Sequence, residues 1–276
     1  MDKPYIPTLI DGDSYYQVDR VNQTLLKKVL QSPAHARQYL LHPPEPTPAM
    51  RLGTALHLAL LEPHLYEQQV VVQPDFNRRT NDGKLQYSKW LDSTKDKTVL
   101  TSAQSVTCIQ AAQSLARHSV AMRLINAGKH EVSIGFEDIA TGLQCKCRCD
   151  VLDTPNKCVN DVKSAMDGSY KGFQRACVNF DYALQSSFYL RGASGYPTGI
   201  AAHKAGWRFN FVVVETSAPY GVAVYQLDQR AICHGDDLCD EALKSWADAK
   251  VLDQYADYPD EIQMLSLPPW ALRESE

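Results

Sequence analysis

Three side chains define the chemistry open to this sequence. Asp150 closes the run Cys145-Lys146-Cys147-Arg148-Cys149-Asp150, and Asp161 and Lys163 flank Val162 a short turn later. Side chains alternate on an extended strand, so Asp161 and Lys163 share a face. Lys146, Arg148 and Asp150 likewise share one, with the three cysteines opposite. The turn signal Thr154-Pro155-Asn156-Lys157 joins the two strands tightly enough for Asp150 and Asp161 to lie side by side. Two carboxylates and a lysine on one sheet face suit a hard divalent cation and a water, because Mg²⁺ takes oxygen ligands and keeps several waters. Such an ion polarises a phosphodiester and acidifies the attacking water. Lys163 is placed to orient that water and to offset charge in the transition state. A D-x-K triplet is also common on solvated strand faces, so the pattern by itself leaves both readings open.

The elements that must position these groups follow from periodicity. Residues 131–136, 143–152 and 158–164 read as a three-strand meander, with Thr141-Gly142 as the first turn. Upstream, residues 21–30 form a helix with Leu25, Leu26, Val29 and Leu30 on one face, and Ser32-Pro33 restarts a second helix through Leu40. A stiff proline-rich connector at 42–48 leads to a short buried helix at 51–61, where Gly53 and His57 share a face. Residues 68–73 read as a strand and 75–84 as a polar loop, and Thr101 with Gln104 forms a capping box opening a helix towards Arg117. Downstream come a helix at 179–191, strands at 208–215 and 220–227, and an amphipathic helix at 229–250. No internal repeat or clear linker stands out. The expectation is one α/β domain over 1–276, with 1–15 as an N-terminal extension and 231–276 as an acidic C-terminal helix and tail.

Composition narrows the class. Of the 276 residues, 44% are hydrophobic, enough for a core and too many for a disordered chain. No apolar run approaches the ~18 residues that span a bilayer, and the first residues lack the basic and apolar regions of a signal peptide. A cytoplasmic protein without membrane contact is expected, its eight cysteines kept as thiols. The charge is uneven: residues 231–276 hold 11 acidic and 3 basic side chains, and residues 1–230 hold 21 and 25. That split permits a polyanionic partner for the body without demonstrating one. The Cys145, Cys147, Cys149 and Cys158 set raises zinc as a competing idea, but C-x-C-x-C on one strand face is not the knuckle that wraps a tetrahedral ion. With neither a P-loop nor a G-x-S-x-G elbow, no nucleotide cofactor is expected.

The motifs also fall in a family's order. Gly53-x-x-x-His57, the Cys-Arg-Cys-Asp run ending at Asp150, Asp161-Val162-Lys163 and Gln185-x-x-x-Tyr189 resemble the RecB-like branch of the PD-(D/E)xK nucleases. More closely, the strings LGTALH (52–57), FNRRTN (76–81), TG-x-x-C-x-C-R-x-D (141–150), DVKS (161–164), Q-x-x-F-Y (185–189) and SLPPWA (266–271) resemble the RecE-type exonucleases, the C-terminal domain of exonuclease VIII. The resemblance covers nearly the whole chain and would leave out the long N-terminal region of RecE. It implies a restriction-endonuclease-like core: a central mixed β-sheet flanked by helices, with helical N-terminal additions.

For the site, the resemblance implies a metal held by His57, Asp150, Asp161 and the Val162 carbonyl, with Lys163 as the catalytic lysine. Gln185 and Tyr189, one helical turn apart, would face the site and hold the DNA backbone or the lysine. Glu131 lies where related nucleases carry an acid near the metal; it holds a second ion through water or is a strand-end glutamate. Cys149 stands in place of the family's usual proline. Some RecB-like nucleases bind an iron–sulfur cluster through C-terminal cysteines, but only Cys233 and Cys239 lie there, so none is expected. Arg78 and Arg79 are candidates for DNA-backbone contact, with Lys146, Arg148, Lys171 and Arg175 extending a positive surface. Arg148 has an alternative as the structural partner of an acidic strand neighbour. The implied activity is Mg²⁺-dependent 5′ to 3′ degradation of one strand of linear duplex, with Mn²⁺ able to substitute, leaving 3′ overhangs for homologous recombination. A ring-like tetramer and a RecT-like single-strand annealing recombinase are the implied assembly and partner. A nuclease of other polarity, an endonuclease, a non-catalytic DNA-binding protein and a zinc-binding structural protein are the alternatives.

Overall fold

The structure, a computed structural model, describes residues 7–11, 15 and 17–267. In chain order β1 (Thr8–Leu9) is followed by α1 (Gln23–Gln31), α2 (Pro33–Leu41), α3 (Pro48–Leu61), α4 (Pro63–Gln69), β2 (Val70–Val72), α5 (Asn81–Ser93), β3 (Thr98–Leu100), α6 (Ser102–Arg117) and α7 (Ser119–Ile125). Then come β4 (Lys129–Glu137), β5 (Gln144–Asp153), β6 (Cys158–Ala165), α8 (Tyr170–Asn179), α9 (Tyr182–Ser194), α10 (Gly199–Lys204), β7 (Arg208–Glu215), β8 (Val222–Gln226) and α11 (Gln229–Leu252). Of the expected N-terminal extension only Pro7–Asp11 and Tyr15 are described, and the SLPPWA string beyond Leu267 also lies outside the described residues.

Local chemistry explains the boundaries. Asn22, Ser32, Thr47, Thr80 and Thr101 each accept a backbone N–H two or three residues on, capping α1, α2, α3, α5 and α6. The capping box at Thr101 and Gln104 is present with both hydrogen bonds made. Pro48 at the first position starts α3 one turn earlier than hydrophobic periodicity suggests. The stretch expected as a polar loop at 75–84 becomes helix from Asn81, because Thr80 Oγ1 accepts from Gly83 N at 3.0 Å. The helix expected from residue 179 starts only at Tyr182, because Asp181 is left-handed (φ 48°, ψ 47°) and separates it from an unforeseen α8.

The six sheet strands run in the order β1-β4-β5-β6-β7-β8, and β6–β7 is the parallel pair. The connection from β6 to β7 passes through α8, α9 and α10, as a parallel crossover requires. One core lies between the sheet and α1, α8, α9 and α11, and includes Cys145, Cys147, Phe188, Phe209 and Phe211. The other lies between the sheet and α3, α6 and α7, with Leu56, Leu115, Ile125, Val162 and Val212. The strand cysteines are therefore buried packing groups, and all eight cysteines are free thiols. Among the described residues no helix is long and apolar enough to cross a membrane.

The helix that carries Gln185 is fixed by close packing and a buried charge network. Asp236 on α11 accepts from Arg191 Nη2 at 2.8 Å, from Ser187 Oγ, and from the amides of Gly199 and Ile200 at 2.7 Å each. Arg191 also pairs with Asp240 at 2.8 Å, so α9, α10 and α11 share one satisfied ionic knot. Removing one partner of such a buried pair strands the other and costs about 3–5 kcal/mol. At the same crossing Gly235 meets α9 so closely that a Cβ there would lie 2.2 Å from the Ala183 carbonyl oxygen. Helix propensity alone would make Gly235→Ala stabilising by up to ~1 kcal/mol, whereas the clash with backbone should destabilise by about 1–3 kcal/mol. Urea denaturation decides the sign, and an unchanged or raised stability would contradict this packing.

Candidate metal centre and active site

The site begins as a fault in the sheet. β5 and β6 pair through Val151–Asn160, Leu152–Val159 and Asp153–Cys158, and the ladder stops there. Continuing that register sets Asp150 opposite Asp161, as the sequence spacing implies. Where the strands part, the backbone of Val162 loses its ladder partners, and buried N–H and C=O groups must find others. The Asp150 carboxylate accepts from Val162 N at 2.7 Å, and His57 Nε2 lies 2.9 Å from the Val162 carbonyl oxygen. Further along the same opening, Val21 bridges to β5, exchanging hydrogen bonds with Gln144 O (2.9 Å) and Lys146 N (2.7 Å). The opening is thus closed at both ends.

β4 and β5 both change phase at this level. Val132, Ile134 and Phe136 on β4, like Cys145, Cys147 and Cys149 on β5, face the α9–α11 side. Two residues on from Cys149, Val151 faces the α3–α6 side, and His130 bonds the Leu61 and Ile125 carbonyls at 2.8 Å each on that side. The residue at the switch, Glu131, is left-handed at φ 50°, and its expected pairing with Asp150 is missing from the ladder. A non-glycine residue held there costs free energy and is typical of functional sites. Alternation would have pointed Glu131 away from this face; the phase change turns its carboxylate into the opening.

His57, Glu131 and Asp150 consequently converge, with one candidate ligand atom from each within 4.8 Å of the others. His57 Nδ1 is 3.6 Å from Asp150 Oδ2 and 3.9 Å from Glu131 Oε1. α3 delivers His57 from one face of the sheet; Gly53, one turn earlier, faces Ser164 on β6, whose hydroxyl would sit 3.7 Å from an added Cβ, an ordinary contact, so the packing does not demand a glycine there. Burial, with the neighbouring charge of Asp150, pushes the Glu131 carboxyl up to about 7. Buried carboxyls with this little compensating positive charge are a fitting donor set for a hard cation, with the Val162 carbonyl and the imidazole completing it.

Lys163, Asp161 and Gln185 form the adjoining half, on the α9 side of the sheet. Lys163 Nζ lies 2.5 Å from Asp161 Oδ2, and Gln185 Nε2 donates to Asp161 Oδ1 at 2.6 Å. Apart from the Lys163 ammonium, no donor reaches Asp161 Oδ2 among the described residues, leaving lone-pair capacity there. Burial pushes Asp161 up to about 6, with Lys163 opposing and Asp150 adding to the rise. Burial works against the Lys163 ammonium, but Asp161 and Asp150 outweigh it and hold its pKa above the ordinary lysine value. Lys163 Nζ also sits over the Tyr182 ring, 5.0 Å from its centre, a cation–π contact.

Several expected roles shift. Gln185 faces the site as expected, but its amide holds Asp161 rather than the lysine. Tyr189 is buried with its ring against Phe209 at 6.1 Å. Asp161 stands outside the 4.8 Å group that Glu131 joins, being clasped by Gln185 and Lys163. Lys146 is corrected: it is buried, and Nζ donates to the Tyr15 and Val18 carbonyls at 2.6 and 2.7 Å, pinning the N-terminal segment instead of facing DNA. Arg148 is likewise corrected to a structural partner, 3.6 Å from Glu131 Oε2 and donating to Ser133 Oγ at 3.1 Å. Arg78 and Arg79 are exposed, Arg78 lying over the Tyr87 ring of α5, and Lys171 and Arg175 are exposed on α8. Lys27 and Tyr182 beside Lys163 escaped sequence reasoning; the paired lysines 27 and 28 on an apolar helix were the available signal.

Comparison with known proteins agrees with this architecture. The family profile described as "PDDEXK-like domain of unknown function (DUF3799)" matches residues 23–268. A crystal structure from Eubacterium rectale described as "Putative exonuclease" superposes with a TM-score of 0.63 at 12% sequence identity, covering 95% of this chain and 96% of that one. At that identity the likeness shows the fold. No curated protein matches the sequence.

The titration of the site gives a signed test. Glu131 at about 7 and Asp161 at about 6 lie above ordinary carboxyl values, so each favours the folded state most when protonated. Their contribution is complete below the ordinary carboxyl range and is lost as pH rises through about 6–7. In EDTA the melting temperature should fall by several degrees between about pH 5 and 8, and Mg²⁺ or Mn²⁺ should recover most of the loss at the upper end. A flat profile in EDTA, or the same profile with metal, would contradict the electrostatics.

Proposed function

The chain belongs to the PDDEXK-like family, and from that premise we propose that it is a Mg²⁺-dependent exonuclease that degrades one strand of linear duplex DNA. The observation that carries this reading is the convergence of His57, Glu131 and Asp150 within 4.8 Å of one another, with the Asp161–Lys163 pair adjoining them. The polarity, 5′ to 3′ with 3′ overhangs left for homologous recombination, is supported by the resemblance to the RecE-type exonucleases. The name of the Eubacterium rectale protein supports the exonuclease class.

Asp150, Glu131, His57 and the Val162 carbonyl would hold the cation, with Asp161 at its border. A divalent ion there supplies Lewis-acid polarisation of a phosphate and a more acidic water. The chain's own groups do the rest. Asp161 and Tyr182 hold the Lys163 ammonium where it can donate to a phosphate oxygen or orient a water, and Gln185 keeps Asp161 from rotating away. Arg148 steadies Glu131 from behind. Mn²⁺ should substitute for Mg²⁺, since both take hard oxygen ligands. The resemblance further supports a cytoplasmic protein of one domain, a ring-like tetramer around duplex and a RecT-like annealing partner. The acidic 231–276 region then belongs outside the DNA path, where it does not repel the substrate.

Nucleotide release from linear duplex with Mg²⁺, in wild type, Asp161→Ala and Lys163→Ala, tests the assignment. Each substitution should reduce the rate about a hundredfold or more. Equal rates in all three proteins would end the catalytic reading. Closed circular duplex should resist, and cutting it as fast as linear DNA would make the protein an endonuclease.

A further inference from the structure

Beside the catalytic lysine an exposed aromatic ring stands where the chain has spent energy to put it. Phe180 ends α8, its N–H bonded to the Ala176 carbonyl at 2.9 Å, and 57% of it is exposed. Its successor Asp181 is left-handed without being glycine, and its side chain makes no helix cap to compensate. That single residue turns the chain so that Phe180 faces solvent while Tyr182 faces the site. The two rings remain in contact, 5.7 Å between centres and tilted by 31°. Val178, two residues earlier, is 75% exposed.

Cations frame this ring pair. Lys163 Nζ lies 5.0 Å from the centre of the Tyr182 ring, and Lys27 Nζ, from α1, lies 5.4 Å from it. Burial first, and the charge of Lys163 next, bring Lys27 down to about 8, with Asp181 and Asp161 opposing the fall, so it shares one electrostatic environment with the catalytic lysine. The surface thus offers an exposed π-face one aromatic step from two ammonium groups. That pattern suits a molecule carrying a flat ring and an anion on the same unit, which is a nucleotide.

We propose that Phe180 is a stacking platform for an unpaired nucleobase next to the bond being cut, with Lys27 contacting the phosphate of the same strand. The substrate class at the centre is then a strand already separated from its complement: a duplex end must fray by at least one base before it fits. Stacking is tolerant of sequence because every base has a π-face, so the platform selects strand state rather than base identity. This inference rests on the nuclease reading, and the readouts below separate the two.

The probe is an oligonucleotide with 2-aminopurine at its 5′ end, single-stranded or in a blunt duplex, titrated in EDTA against wild type, Phe180→Ala, Phe180→Trp and Lys27→Met. Stacking should quench the fluorophore on the single strand in wild type. Phe180→Ala should lose the quench and weaken single-strand binding about tenfold. Phe180→Trp should retain both, and Lys27→Met should bind more weakly with a shallower salt dependence. In Mg²⁺ the KM of Phe180→Ala should rise more than its kcat falls, and a frayed end should rescue Phe180→Ala less than it helps wild type. Unaltered quenching and affinity in Phe180→Ala would overturn the platform and mark the ring as a protein contact, even if Asp161→Ala abolishes turnover. If wild type releases no nucleotide, the nuclease reading falls, while loss of quench on removing Phe180 would still establish the stacking site.

Discussion

The whole site depends on one unmet hydrogen-bonding demand. β5 and β6 separate after Val151 and Asn160, and the Val162 N–H and C=O are left facing a gap in the interior of a sheet. Backbone polar groups there cannot be abandoned, at about 1–3 kcal/mol each. The Asp150 carboxylate supplies the acceptor and His57 the facing ring nitrogen, so the groups that repair the sheet are the groups that form the candidate metal centre. Structural repair and chemistry therefore cannot be separated by mutation at Asp150: its replacement removes a backbone partner and a candidate ligand together.

The second constraint is electrostatic. Burial raises both Glu131 and Asp161, and Asp150 adds to each, while positive charge is rationed among Lys163, Arg148 and His57. This is an expensive arrangement for a free protein. Its cost is borne by rigid surroundings: Arg148 and Ser133 behind Glu131, Gln185 on Asp161, and the Arg191–Asp236 knot that locks α9 against α11. The left-handed Glu131 belongs to the same pattern, a strained backbone tolerated where its own strand and β5 both change phase.

Much of this was legible in the sequence. The alternation of 143–152 set the strand cysteines on one buried face, the D-x-K spacing put Asp161 beside Lys163, strand β7 was bounded correctly, and the mixed sheet flanked by helices is the fold observed. The capping box at Thr101 was readable because it is a local contact. What failed was non-local. No spacing reports that Glu131 adopts a left-handed conformation and turns into the opening, since the cause is the divergence of two other strands. Lys146 looked like a surface cation because alternation gives a face and not what covers it; the carbonyls of Tyr15 and Val18 come from more than a hundred residues away. Lys27 reads as one more polar position on an amphipathic helix until α1 is docked beside Tyr182. Short helices such as α7 and α10 lack the length for their apolar period to register.

The most direct measurement is diffraction from crystals soaked in Mn²⁺, using the anomalous signal of the ion to locate it without reference to the protein. The account expects one strong site in the β5–β6 opening, about 2.0–2.5 Å from oxygens of Asp150 and Glu131 and from the Val162 carbonyl, with His57 turned to ligate. An ion bound elsewhere, or no ordered ion at saturating Mn²⁺ while His57 stays on the Val162 carbonyl, would contradict it.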